Sequence, residues 1–95
     1  MKYGLKDEII GNIKDIINKY KKYKFKLFGS RARGDYRETS DIDIAIFEDV
    51  SREDEYRIRD DFDKLDIIYR IDLVFIDKDI KQELLDSIKR DGVDF

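Results

Sequence analysis

No cysteine and no histidine occur among the 95 residues. Without cysteine there is no disulfide and no thiolate zinc site. Without histidine there is no imidazole general base and no Ser-His catalysis. Acid–base and metal-binding chemistry is left to carboxylates. Proline is absent too. No run of about 18 apolar residues is present to span a membrane. The opening stretch MKYGLKDEII lacks the apolar centre of a signal peptide. A soluble, cytoplasmic chain without a membrane partner is the expectation. At 95 residues the chain should form one domain, 1–95, around a single modest core.

Charge is what the chain has in abundance. Charged residues make up 45%, with 20 Lys and Arg against 23 Asp and Glu, for a net charge of -3. That balance argues against a general nucleic-acid binder, whose affinity comes from excess basic side chains. The basic patches are Lys19 to Lys26 and Arg31 to Arg37. A high charge content also fits a heat-adapted source.

Ile9, Ile13, Ile16, Ile17 and Tyr20 recur at helical spacing and predict a helix over residues 6–21. Lys24 to Phe28 reads as a strand ending at Gly29. Arg31 to Gly34 allows one helical turn, and 35–40 is polar loop. Asp41 to Phe47 reads as the second strand. Ser51 and Asp54 form a capping-box pattern. The helix they open should run to about Tyr69, with Ile58, Phe62, Leu65 and Tyr69 on its core face. Ile71 to Ile76 is the third strand. Asp79 should cap a last helix bearing Ile80, Leu84, Leu85 and Ile88, ended by Gly92. The order predicts a small α/β (α+β) layer fold, a three-stranded sheet with helices packed on it.

The stretch LFGSRARGDYRETSDIDIAIF, residues 27–47, carries the chemistry. Strand faces repeat every two residues, so Asp41 and Asp43 point one way and Ile42, Ile44 and Ile46 the other. Two neighbouring carboxylates disfavour each other's ionised form. A divalent cation is the natural partner between them. Ten residues separate Gly29-Ser30 from Asp41, and Asp72 lies inside the third strand. Gly29 lets backbone N–H groups approach a phosphate. Ser30 adds a hydroxyl donor, and the following turn presents its N-terminus to the same anion. Asp41 and Asp43 can bridge two Mg2+ ions. Asp72 can ligate one of them and orient or deprotonate an incoming hydroxyl. Two such ions stabilise the attacking and leaving oxygens of an in-line phosphoryl displacement. Arg31 and Arg33, next to this stretch, are either surface charges or triphosphate contacts.

GSRARG, SDIDIAI and IDLVFI together resemble the minimal nucleotidyltransferases of the polymerase-β-like superfamily. The resemblance covers nearly the whole chain. It is strongest to the short antitoxins encoded beside a HEPN-domain toxin, the MNT/HEPN pairs. It implies that Gly29 and Ser30 bind the phosphates of a nucleoside triphosphate. Asp41, Asp43 and Asp72 would hold the catalytic Mg2+ ions. The implied reaction transfers AMP from ATP, releasing pyrophosphate, to a tyrosine hydroxyl of the partner toxin. Larger relatives add domains that hold the acceptor, so a second chain is expected to supply that surface here.

Each part has a plainer reading. A Gly-Ser pair is a common turn, and D-x-D is often a solvated strand end. Asp61-Phe62-Asp63 repeats the triplet on a helical pattern, which shows how little it means alone. The whole spacing is what carries the assignment. Asp72 could face solvent at the sheet end, yet an unpaired carboxylate beside Val74 and Ile76 would be costly. Lys24 and Lys26 read as a solvated strand face. Tyr3, Tyr20, Tyr23 and Tyr36 read as packing or surface residues. Three functions stay open. A protein adenylyltransferase antitoxin needs its carboxylates. A binding module that masks its partner sterically does not. A small-molecule nucleotidyltransferase needs them too, with a helical subunit shaped for a small acceptor.

Overall fold

Apolar spacing decides which stretches become helices. The computed structural model describes residues 2–95. In chain order these form α1 (Asp7–Lys19), β1 (Lys24–Phe28), α2 (Gly29–Arg33), β2 (Ile42–Phe47), α3 (Arg52–Asp63), β3 (Ile71–Phe75), α4 (Gln82–Asp91) and β4 (Val93–Asp94). α1 buries Ile10, Ile13 and Ile16, with Ile9, Ile17 and Tyr20 packed around their margin. Asp7 and Glu8 in its first turn and Lys19 in its last suit the helix dipole. The expected cap of α3 is present: the Ser51 side chain accepts a hydrogen bond from the Asp54 N–H.

The strands form one mixed sheet in the order β3-β2-β1-β4. β1 and β2 run antiparallel, with Phe28 opposite Asp43. α3 returns the chain so that β3 lies parallel to β2, with Asp43 beside Asp72. Ile42, Ile44 and Ile46 join Phe25 and Leu27 on one face, against α1 and against Ile58 and Phe62 of α3. Each such fully buried side chain contributes about 1.5–3 kcal/mol. The opposite face is thinner, with Phe28 and Ala45 covered by Ile88 of α4. Two hydroxyls tie the end of α1 to α3. Tyr20 donates to Asp61, and Tyr23 donates to Asp54. Among the described residues, no helix is long and apolar enough to cross a membrane.

Four expectations need correction. The sheet has four strands, because Val93 and Asp94 pair with Leu27 and Lys26. A two-residue strand is too short to show alternation. α3 stops at Asp63, where the Lys64 N–H donates to the Asp60 carbonyl and the Leu65 N–H to that of Phe62. Leu65 and Tyr69 reach the core from the loop that follows, which is why their spacing mimics a longer helix. Asp79 does not cap α4. Its N–H donates to the Asp77 carboxylate, and α4 starts after Lys81 without a side-chain cap. Ile80 packs on the second face ahead of the helix. Gly92 does end α4, but at φ -66, leading the chain straight into β4.

Candidate active site

Three strand ends meet at one end of the sheet: the exit of β1 and the entries of β2 and β3. Antiparallel pairing brings Gly29, just past Phe28, against Asp43. Gly29 has φ +75, and a Cβ there would run into the Asp43 carboxylate. Both conditions demand glycine. Parallel pairing sets Asp43 and Asp72 side by side as direct register partners, so their side chains share a face. Asp41 lies two residues before Asp43, on the lead-in to β2.

The electrostatics follow from this crowding. The Asp43 carboxyl is pushed up from its ordinary 3.8 to about 6, first by burial, then by the charges of Asp72 and Asp41. Arg33 acts in the opposite direction. Asp72 is half-exposed and paired with Arg70, whose Nε lies 3.0 Å from its Oδ1. Arg33 is exposed and bridges Asp35 at 3.3 Å and Asp91 at 3.4 Å. Ser30 is half-buried in the first turn of α2.

The expectation that Arg31 contacts a triphosphate is overturned. Arg31 is 1% exposed. Its Nε and Nη2 donate to the Ser40 carbonyl, Nη2 also to that of Glu38, and Nη1 to that of Tyr3. A guanidinium enclosed in this way has no open donor face for a ligand.

Asp41, Asp43 and Asp72 were expected to hold metal. Their donor chemistry fits a hard divalent cation, being all carboxylate oxygen. Burial first, and then the charges of Asp72 and Asp41, lift Asp43; such an ion would offset the charge part. Their present spacing is looser than a coordination sphere: among the described residues, no three acidic side chains stand close enough to ligate one ion. Of the three, Asp72 is engaged by Arg70. Beside Asp72 a cleft of about 550 Å³ opens along β3, with Phe62, Leu65, Tyr69 and Arg70 among its walls.

Arg70, Asp91 and the role of Arg31 were not foreseen. The Arg70–Asp72 pair was readable as an i, i+2 pair on one strand face. Asp91 had no local signal, since only the packing of α4 carries it to Arg33.

The family described as polymerase beta, nucleotidyltransferase matches residues 11–94. Two proteins of Methanocaldococcus jannaschii, both named "putative protein adenylyltransferase", are similar. One is 57% identical over 47 residues, covering 50% of this chain and 38% of that protein. The other is 49% identical over 45 residues, covering 39% of this chain and 52% of that protein. The matches thus span about half or less of these relatives' length. The crystal structure of a "putative nucleotidyltransferase" from Sulfolobus solfataricus superposes with a TM-score of 0.55 at 27% identity, covering 93% of this chain and 79% of that one.

Proposed function

The chain belongs to the polymerase beta nucleotidyltransferase family, and from that premise we propose that it transfers AMP from ATP to a tyrosine hydroxyl of a partner protein. The partner in this reading is a HEPN-domain toxin encoded alongside, which the modification silences, making the chain an antitoxin. The observation that carries the reading is the register pairing of Asp43 with Asp72, with Gly29 closed against Asp43. The name shared by the two Methanocaldococcus relatives favours a protein acceptor over a small molecule.

Two Mg2+ ions held by Asp41, Asp43 and Asp72 would supply charge neutralisation at the transferring phosphoryl group. The chain's own residues have separate tasks. The backbone at Gly29 and the Ser30 hydroxyl receive the triphosphate tail, with Arg33 beside them as a cationic contact. Asp72 lies at the cleft along β3, where the acceptor enters. Its carboxylate orients the incoming hydroxyl and accepts its proton. The hydroxyl oxygen bonds to the α-phosphorus, the bond from that phosphorus to the bridging oxygen breaks, and pyrophosphate departs.

The test is incubation with each nucleoside triphosphate, Mg2+ and the co-encoded partner, followed by intact-mass measurement. Transfer adds about 329 Da to the partner, with ATP as donor. The Asp41→Asn/Asp43→Asn double variant should add nothing. Transfer at the wild-type rate by that variant refutes the mechanism. Neutralisation of the partner without any mass gain favours steric masking instead.

A further inference from the structure

Arg31 is the buried charged side chain of the described residues, and no carboxylate pairs with it. A guanidinium out of water is expensive unless its donors and charge are met. Here three carbonyl oxygens meet them. Ser40 accepts at 2.8 and 3.1 Å, Tyr3 at 2.8 Å and Glu38 at 3.3 Å. The rings of Tyr69 and Tyr36 lie 4.6 and 5.3 Å away, offering π faces to the charge. Gly4, at φ +68, leaves room for this cluster, because a Cβ there would strike the Tyr36 ring and Arg31 Nη1.

The partners are significant for their places in the chain. Ser40 immediately precedes Asp41. Tyr69 stands three residues before Asp72, and the Arg70 carbonyl accepts from the Ile42 N–H where β2 and β3 begin. Arg31 itself follows Gly29-Ser30. One side chain therefore grips the three segments that bear the proposed phosphate turn and the carboxylates. The loop at 35–40 is otherwise held by local contacts, Ser40 Oγ accepting from the Arg37 N–H.

We propose that Arg31 is the positioning residue of this site, fixing Asp41 and the entry of β3 relative to the Gly29-Ser30 turn without touching substrate. The inference rests on the transferase reading for its kinetic readout only; divalent-ion binding tests it independently. Lysine keeps the charge but carries no planar fork to reach three carbonyls at once. Arg31→Lys should therefore behave like Arg31→Met.

The experiment uses the full chain at a temperature where circular dichroism shows every variant folded. Free Mn2+ is titrated by its electron paramagnetic resonance signal. Both Arg31 variants should bind Mn2+ about 10- to 100-fold more weakly, the range for losing the outer support of a metal site. In AMP transfer, kcat should fall by a similar factor, while KM for ATP stays within about threefold. A core control, Ile13→Val, should lower the melting temperature and leave both readouts unchanged. If neither Arg31 variant folds, Tyr69→Leu takes their place, removing one π face while keeping the guanidinium, and should shift Mn2+ affinity and kcat in the same direction. A folded Arg31→Lys, or Tyr69→Leu in its stead, with wild-type Mn2+ affinity overturns the proposal. A wild type that binds Mn2+ but transfers nothing sinks the transferase reading and leaves Arg31 judged on Mn2+ affinity. A wild type that binds no Mn2+ overturns both.

Discussion

Replacing Asp43 by asparagine should make the protein more stable and inactive at once. The carboxyl is pushed up from 3.8 to about 6 by burial and by the charges of Asp72 and Asp41. The folded chain therefore holds a proton through a pH window where the unfolded chain has lost it. Stability from this group is complete below about pH 4 and is lost as pH rises through about 6. Taken whole, that rise corresponds to about 3 kcal/mol. Asp43 is only half-buried, so solvent screening reduces the figure to about 1–1.5 kcal/mol. Asparagine keeps the shape and never ionises. Asp43→Asn should then match wild type near pH 4 and exceed it by about 1–1.5 kcal/mol near pH 7.5, which is several degrees in melting temperature for a chain of this size. Urea unfolding at both pH values, without divalent ions, measures it. An Asn variant that is less stable at the higher pH, or whose advantage does not change with pH, would falsify the account of a crowded, uncompensated carboxylate. Loss of transfer in the same variant would make the site a place where stability is given up for chemistry.

Other outcomes follow from the same geometry. Gly29→Ala should lose about 1–2 kcal/mol from the left-handed backbone alone, and transfer should fall about 100-fold as Asp43 is displaced; wild-type turnover would refute the close approach. Arg70→Ala removes an exposed ion pair, so the melting temperature should move little, under about 1 kcal/mol. The freed Asp72 should bind Mn2+ more tightly in a competition titration, and weaker binding would show that Arg70 supports the carboxylate rather than competes for it. Phe62→Ala opens the layer between α3 and the sheet and should cost about 3–5 kcal/mol in urea unfolding.

Most of the architecture could be read from local pattern. The isoleucines of α1 and β2, the Ser51 cap and the Asp41/Asp43 alternation each depend on residues a few positions apart, and pattern reports such spacings well. The family resemblance rests on the same stretches, and the match over residues 11–94 agrees with it. What escaped depends on distant parts of the chain. β4 exists because α4 delivers Val93 to the free side of Leu27. α3 looked longer because Leu65 and Tyr69 return to the core from a loop. Arg31 read as either a surface charge or a triphosphate contact because it stands beside the proposed phosphate turn. Only the fold reveals that Tyr3, Glu38 and Ser40 converge on it. Arg33, two residues on, stays exposed beside Asp35 and Asp91.

The surface bearing Asp43 and Asp72 is roofed by one helix, and α4 contributes a single fully buried residue, Ile88, to hold it there. The other layer is secured by two helices joined through tyrosine hydroxyls. Amide protons of α4 should thus trade with deuterium well before those of β2, through partial opening rather than global unfolding. The carboxylate side of the slab can be unroofed while the isoleucine layer beneath stays shut.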